Sequence, residues 1–423
     1  MKKIMTFIAL IVPAMVFAQN TLTLEECLKA AVQNHPRQAD YKLMETISGN
    51  KLENYDVNWF PALNLNGQAT YQSDVIQFNI DAPVPGLTFP VVPKDQYKLT
   101  LDVSQTIYDA GSTKGKKQVE EAGLKASEKQ LESDIETEKE LVKNLYFNIL
   151  VLQENIKIVD LTVQQLDSSQ TIVRSGVDNG MLLHSDLDLL KVETMNLEQN
   201  RTELENRKEA TLNILAEQTG IDITAVDSLR LPGYSVPESP DIQRPELELF
   251  SYKQDVLGKS ADLLGSKRLP VVFAFGQFGY GKPGLNMLND KFDTWYLVGA
   301  GLKWNLWDWN QVKRDRENLK MQADMITHQR ETFERHINEG LTQAQAEIRS
   351  HSQNIDAFGK ILALRENISA SYLSQLKNGT IMTNDYLKIL NQEKIARIKL
   401  ETEKILLQKA IADYKYTEGT LHD

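Results

Sequence analysis

Cysteine is almost missing from this 423-residue chain, because Cys27 is the only one, and a disulfide within the chain is excluded. Long apolar runs are scarce as well. Beyond residue 18 no stretch of 18 or more apolar residues occurs, which excludes a membrane-spanning helix. A chain like this could enter a bilayer only as a closed β-barrel, the other structure that satisfies every backbone polar group in lipid. Positive charge is in deficit, with 47 Lys and Arg against 58 Asp and Glu. That balance argues against a nucleic-acid partner. Catalytic motifs are lacking. The six histidines form no H-E-x-x-H and no i,i+4 pair, and His351 reads as a packing residue on a helical seam. GQFGYGKP, Gly276 to Pro283, has the glycine and lysine spacing of a phosphate loop, but Pro283 replaces the required Ser or Thr and no helix follows. Neither an enzymatic activity nor a cofactor or metal is expected.

What the chain does have begins with an export signal. Lys2 and Lys3 precede an apolar stretch from Ile4 to Val16, and Val16-Phe17-Ala18 forms a small-residue cleavage site before Gln19. Removing residues 1–18 takes two lysines and leaves a net charge of −13. No Cys stands at the new N-terminus, so no lipid anchor is expected. With 41% hydrophobic and 25% charged residues, the remainder has the composition of a folded protein.

An internal duplication organises that remainder. His35-Pro36 and Arg244-Pro245 each lead to a second proline 25 residues on, at Pro61 and Pro270. PALNLNGQATYQ from Pro61 and PVVFAFGQFGYG from Pro270 share a Gly-Gln pair at an offset of 209. From Tyr97 and Tyr296 onward the offset becomes 199, and it holds through Gly180 and Asp186, which match Gly379 and Asp385. The expected organisation is a first repeat at 19–219, a proline-rich linker at 220–245 and a second repeat at 246–423.

Each repeat opens with two strands, at about 61–73 and 97–108 in the first and 270–281 and 295–307 in the second. Leu63, Leu65, Gly67, Ala69 and Tyr71 alternate with Asn64, Asn66, Gln68, Thr70 and Gln72, the period of a strand with one apolar and one wet face. Phe273 and Phe275 break this rule, because they fall on the expected wet face. About ten residues suits a tilted membrane strand. Tyr71, Tyr97, Trp295, Tyr296, Trp304 and Trp307 gather near strand ends, as interfacial aromatics do. A soluble β-sandwich would also alternate and use aromatics.

A helical hairpin follows each strand pair, at 109–219 and 308–417. No proline occurs between Asp109 and Val173, and Val142, Leu145, Ile149, Leu152, Ile156, Val159, Val163 and Leu166 form a heptad seam. The chain turns at Gly180 and at Gly379 and returns from Asp186 and Asp385. A plain helix-start role suits both aspartates. Four strands cannot close a barrel alone, so several chains must share one; twelve strands from three chains leave an aqueous passage.

The opening TLTLEECLKAAVQNHPRQ, the repeated RP…LP spacing, the QTIYDAG and WNLWDWN strand ends and the G-x5-D turns resemble the TolC family of outer-membrane efflux proteins. The resemblance implies an α+β fold in which a homotrimer shares a twelve-stranded barrel in the outer membrane of a Gram-negative bacterium. Long coiled-coil helices would form an α-barrel in the periplasm. It further implies an exit duct serving a tripartite efflux pump or type I secretion, with a periplasmic adaptor and an inner-membrane transporter as partners. Under it, Gly180, Met181, Leu182, Leu183, Gly379, Ile381 and Met382 would contact the adaptor. Asp385, with Asp186, would ring the periplasmic entrance, and Lys388 departs from relatives that place a second acid there. A secreted coiled-coil structural or adhesive protein is the alternative reading. The cargo is not written in these residues.

Overall fold

The computed structural model describes residues 21–76, 92–222, 228–236 and 239–421. The expected signal segment 1–18, its cleavage site and parts of the linker lie outside them. The element order is β1 (Thr21–Leu22), α1 (Leu24–Gln33), α2 (Gln38–Asp56), a 3-10 turn (Val57–Trp59), β2 (Ala62–Tyr71), β3 (Asp95–Tyr108), α3 (Ser112–Asp178), α4 (His184–Thr219), β4 (Ser228–Leu229), α5 (Pro245–Ser266), β5 (Val271–Lys282), β6 (Asp293–Lys303), α6 (Gln311–Lys377) and α7 (Thr383–Glu418). The outgoing helices α3 and α6 have 67 residues each and the return helices α4 and α7 have 36 each, so the 199-residue offset is kept at all four pairs of ends. The fold is α+β, with long helices, a small sheet and an internal two-fold repeat.

Compact units do not coincide with the sequence copies. One unit comprises Met1–Gln38, Ser133–Arg244 and Glu334–Asp423, and the other Ala39–Glu132 and Pro245–Phe333. Each copy supplies two strands and one hairpin.

In the second unit the sheet order is β2-β3-β5-β6, antiparallel throughout, so a strand of each copy meets at the centre. Helices α2 and α5 run beside the start of α3, joined to it by Lys117–Asp56 (2.6 Å), Lys51–Glu120 (3.1 Å) and Lys129–Glu248 (2.8 Å). These half-exposed pairs orient more than they stabilise.

In the first unit the seam read from sequence is the core. Val142, Ile149, Leu152, Val159 and Leu166 are buried, while Leu145 and Val163 pack against the clusters they form. Around residue 146 the burial widens beyond the seam to Tyr146, Phe147 and Leu150, because α1, α4, α7 and the β1–β4 pair contribute to the same cluster. The Tyr146 hydroxyl reaches the carbonyls of Leu22 (2.9 Å) and Arg230 (2.5 Å). Lys143 is buried there, paired with Asp413 and lying over the Tyr416 ring. Burial pushes its ammonium below the usual lysine range, and Asp413 offsets only part of that. His351 is not simple packing. Its Nδ1 meets Glu403 at 2.6 Å, a polar link inside the second seam.

Candidate functional site

Both outgoing helices end in the same backbone motif. Gly180 (φ +70°) and Gly379 (φ +66°) adopt the left-handed conformation that favours glycine. Around them, the N–H of Gly180 donates to Val177 and that of Met181 to Gly176, while Gly379 donates to Leu376 and Thr380 to Gln375, at 2.8–3.0 Å. This paired 5→2 and 6→1 pattern is a Schellman closure.

The apolar tip residues then divide. Leu182 and Ile381 turn inward and pack against the cluster of Val173, Leu187, Leu376 and Tyr386. Leu182 also covers Gly176, where a Cβ would come within 2.7 Å of its Cδ1. Met181 (61% exposed), Leu183 (71%) and Met382 (74%) face outward. Of the seven tip residues read from sequence, these three and the two exposed glycines offer surface.

The return helices begin differently from the simple expectation. Leu183 and Met382 are the N-caps, and Asp186 and Asp385 sit three residues on. A plain N-cap role for either aspartate is therefore corrected. Asp186 reaches back to accept the Leu183 N–H at 3.0 Å, half of a capping box, since leucine has no oxygen to return the bond. Among the described residues the Asp385 carboxylate has no hydrogen-bond or ion-pair partner, and both it and Lys388 are exposed. Near the turns, a groove of about 560 Å³ runs between α3, α6 and α7. Its Arg397 already pairs with Glu366 (2.7 Å) and Glu393 (2.9 Å), so it offers a ligand no free charge.

The sheet has two unlike faces. Leu63, Leu65, Leu99, Leu101, Phe278, Tyr280, Tyr296, Val298 and Leu302 share one face, and all are exposed. The other carries Asn64, Asn66, Gln68, Lys98, Thr100, Asp102 and Gln277. Asp102 accepts from Asn66 (2.5 Å), Thr100 (3.2 Å) and Gln277. A bulge between Thr106 and Tyr108 pairs Tyr108 with Val272 and so moves it to the apolar face.

The interfacial aromatics separate by face. Tyr71, Tyr97 and Tyr296 lie on the apolar one, Tyr97 stacked at 6.0 Å on Phe292. Trp295 lies on the opposite face over Gly279, with the Lys98 ammonium 5.2 Å from its ring. Trp304 and Trp307 fall past the strand, which ends at Lys303 rather than at 307. Pairing stops there because Trp304 donates its Nε1–H to Arg268 O (3.0 Å) and the chain bends into α6.

That bend is a device the sequence reading passed over. Asp109 accepts the N–H of Gly111 (2.9 Å) and of Thr113 (2.6 Å), and Asp308 accepts those of Asn310 (3.0 Å) and Val312 (3.1 Å). Ala110, Trp309 and Asn310, all non-glycine, are held at positive φ. The signal was present, as the matched Tyr-Asp and Trp-Asp pairs at the 199 offset.

Gly276 to Lys282 belong to β5, in register with β3 and β6, so their N–H groups serve the ladder and not a phosphate. Among the described residues no group of three His, Cys, Asp or Glu is placed to hold a metal, and no helix is long and apolar enough to cross a membrane.

Residues 52–217 match the family model described as outer membrane efflux protein. In structure the chain is similar to the outer membrane protein VceC from Vibrio cholerae, at 13% identity and a TM-score of 0.67, over 95% of this chain and 97% of that one. It is similar also to the CmeC outer membrane channel of Campylobacter jejuni, at 15% identity and 0.66, over 94% and 86%. The MtrE outer membrane channel of Neisseria gonorrhoeae follows the same pattern, at 14% and 0.64, over 95% and 89%. Against curated sequences the chain finds no match. Identities this low carry the fold alone. Residues 52–217 thus match the outer membrane efflux protein model, and the chain as a whole shares the fold of the outer-membrane proteins VceC, CmeC and MtrE.

Proposed function

We propose that the protein is a passive exit duct of the outer membrane, a homotrimer whose twelve strands close one barrel and whose helical hairpins reach the periplasm. The observation that carries this reading is the sheet, whose apolar face is exposed and whose edges β2 and β6 have no partner strand among the described residues of the single chain. An edge exposed in lipid is untenable, and pairing β2 of one chain with β6 of the next removes both edges. The dimensions agree. Tyr97 and Tyr108 lie on the apolar face 11 residues apart, which at about 3.3 Å per residue and a tilt of about 45° gives roughly 26 Å. That is the height of the apolar band of such barrels.

Because the chain has no energy-coupling motif, transport through it is driven by partners. Met181, Leu183 and Met382 are the surface to which a periplasmic adaptor, linked to an inner-membrane transporter, would bind. Exposed methionine makes an adaptable contact. The triple variant Met181→Ser, Leu183→Ser, Met382→Ser, which adds no charge beside Asp385, is expected to form the same trimer with the same conductance and yet to leave efflux unrestored in cells lacking the wild-type chain. Restored efflux would sink the docking assignment.

Asp385 is proposed to line the entrance and favour cations, with Lys388 one turn on weakening that preference. In planar bilayers Asp385→Ala should move the reversal potential toward the unselective value, and an unmoved potential removes the role. The duct itself is tested by the mass and conductance of the detergent-extracted protein. A trimer with discrete openings supports the reading, whereas a monomer without conductance ends it.

A further inference from the structure

Phe273, Phe275 and Trp295 stand on the face that the duct reading turns toward the passage, where large rings are unwelcome. Side chains of a sheet stand roughly perpendicular to it. Half the ~10 Å spacing of packed sheets is what one such layer occupies. In a barrel shared by three chains, rings standing upright would take that depth from the wall at nine places.

They do not stand upright. Phe273 leans over Gly301, Phe275 over Gly299 and Trp295 over Gly279, each across to the neighbouring strand. A Cβ on Gly299 would come within 2.7 Å of Phe275 Cζ, and one on Gly301 or Gly279 would overlap its ring outright. The two Phe rings lie 6.2 Å apart and Lys98 sits over Trp295, so each ring has a neighbour that holds it. The β2–β3 half of the same face has no glycine and no large ring, only Ala62, Asn64, Asn66, Gln68, Thr70 and the β3 polar residues. Glycines and rings occur together, on one half of the wall.

We infer that Gly279, Gly299 and Gly301 are notches that lay three aromatic side chains along the barrel wall, and that these six residues set the bore of the passage. The inference rests on the duct reading. Its test is single-channel conductance of the full-length trimer. Gly299→Ala and Gly301→Ala, and the triple variant with Gly279→Ala, should lift the rings and lower conductance, by about twofold for the triple, since a barrel of this size is only a few side chains wide. Adding Phe273→Ala and Phe275→Ala to the first two should bring conductance back to at least the wild-type value. Should the glycine variants fail to assemble, Phe273→Ala with Phe275→Ala alone keeps the notches and is expected to conduct more than wild type. Wild-type conductance in the triple variant, or in the double Phe variant, would overturn the inference while leaving the duct intact. A wild-type protein that forms no channel would instead remove the reading beneath it.

Discussion

Leu65→Arg is expected to abolish the assembled channel, while Asn66→Arg, one residue along, leaves it intact. Leu65 lies in the middle of β2, paired with Leu101 on the apolar face, and is 70% exposed in the single chain. If that face meets lipid, a guanidinium near the bilayer midplane costs about 2–4 kcal/mol per chain. Three chains repeat the cost, about 6–12 kcal/mol, comparable with the whole stability of an ordinary domain. Asn66 faces the other side, where Asp102 stands ready to pair with an introduced Arg. Heat-resistant oligomer in outer-membrane extracts is the measurement. Equal assembly of the two variants would show that the apolar face does not meet lipid.

Removing Asp109 is expected to loosen the first strand-to-helix bend, with a loss of about 1–2 kcal/mol for Asp109→Ala, the range of a lost helix cap. Asp308→Ala acts in the same direction at the second bend, and the double variant should lower the melting temperature more than either alone. Part of the effect comes through the left-handed residues Ala110, Trp309 and Asn310, which persist only while the carboxylates hold the N–H groups beyond them.

Acid should reproduce the effect. Burial raises the Asp109 carboxyl, but the Thr113 and Gly111 donors outweigh it and leave the group below its ordinary 3.8. At Asp308 the Val312 N–H does most of the lowering, opposed by desolvation and aided by Arg268. A depressed folded value contributes stability above the unfolded one and loses it as pH falls through the folded one. Wild type and the double variant should therefore differ at neutral pH, begin to converge as the pH drops below about 4, and become equal only once it has fallen through the still lower folded values. A difference in melting that persists unchanged into that range would mean the carboxylates are not the caps.

Local pattern explains which of these features the sequence made legible. The seam from Val142 to Leu166 and the two faces of β2 follow from periods that one element carries within itself. Equal helix lengths were legible because a constant offset counts residues, needing no knowledge of packing. Phe273 and Phe275 resisted for the opposite reason. What accommodates them is glycine on β6, and pairing Phe273 with Gly301 needs the register between two strands. The end of β6 at Lys303 depended in the same way on a bond from Trp304 to Arg268. Tip residues were found as a group, but which of them pack inward was decided by the Schellman turn, which sends Leu182 over Gly176. Asp186 looked like a cap by position alone. The true N-cap is Leu183, a residue type that no capping preference would nominate.

The matched lengths of α3 with α6 and of α4 with α7 also bear on how such a gene can change. Deleting one codon within a 67-residue helix turns everything beyond it by about 100° and draws it back by about 1.5 Å. Its twin, untouched, keeps the old phase, and the two tips no longer present the same surfaces at the same level. Length in this protein is inherited as a pair. Substitutions can drift one copy from the other, as His351 has from Leu152, and the loop between the strands tolerates the change of offset from 209 to 199. Within the helices, though, a length change keeps the two tips matched only when both copies acquire it, in steps that restore the helical phase.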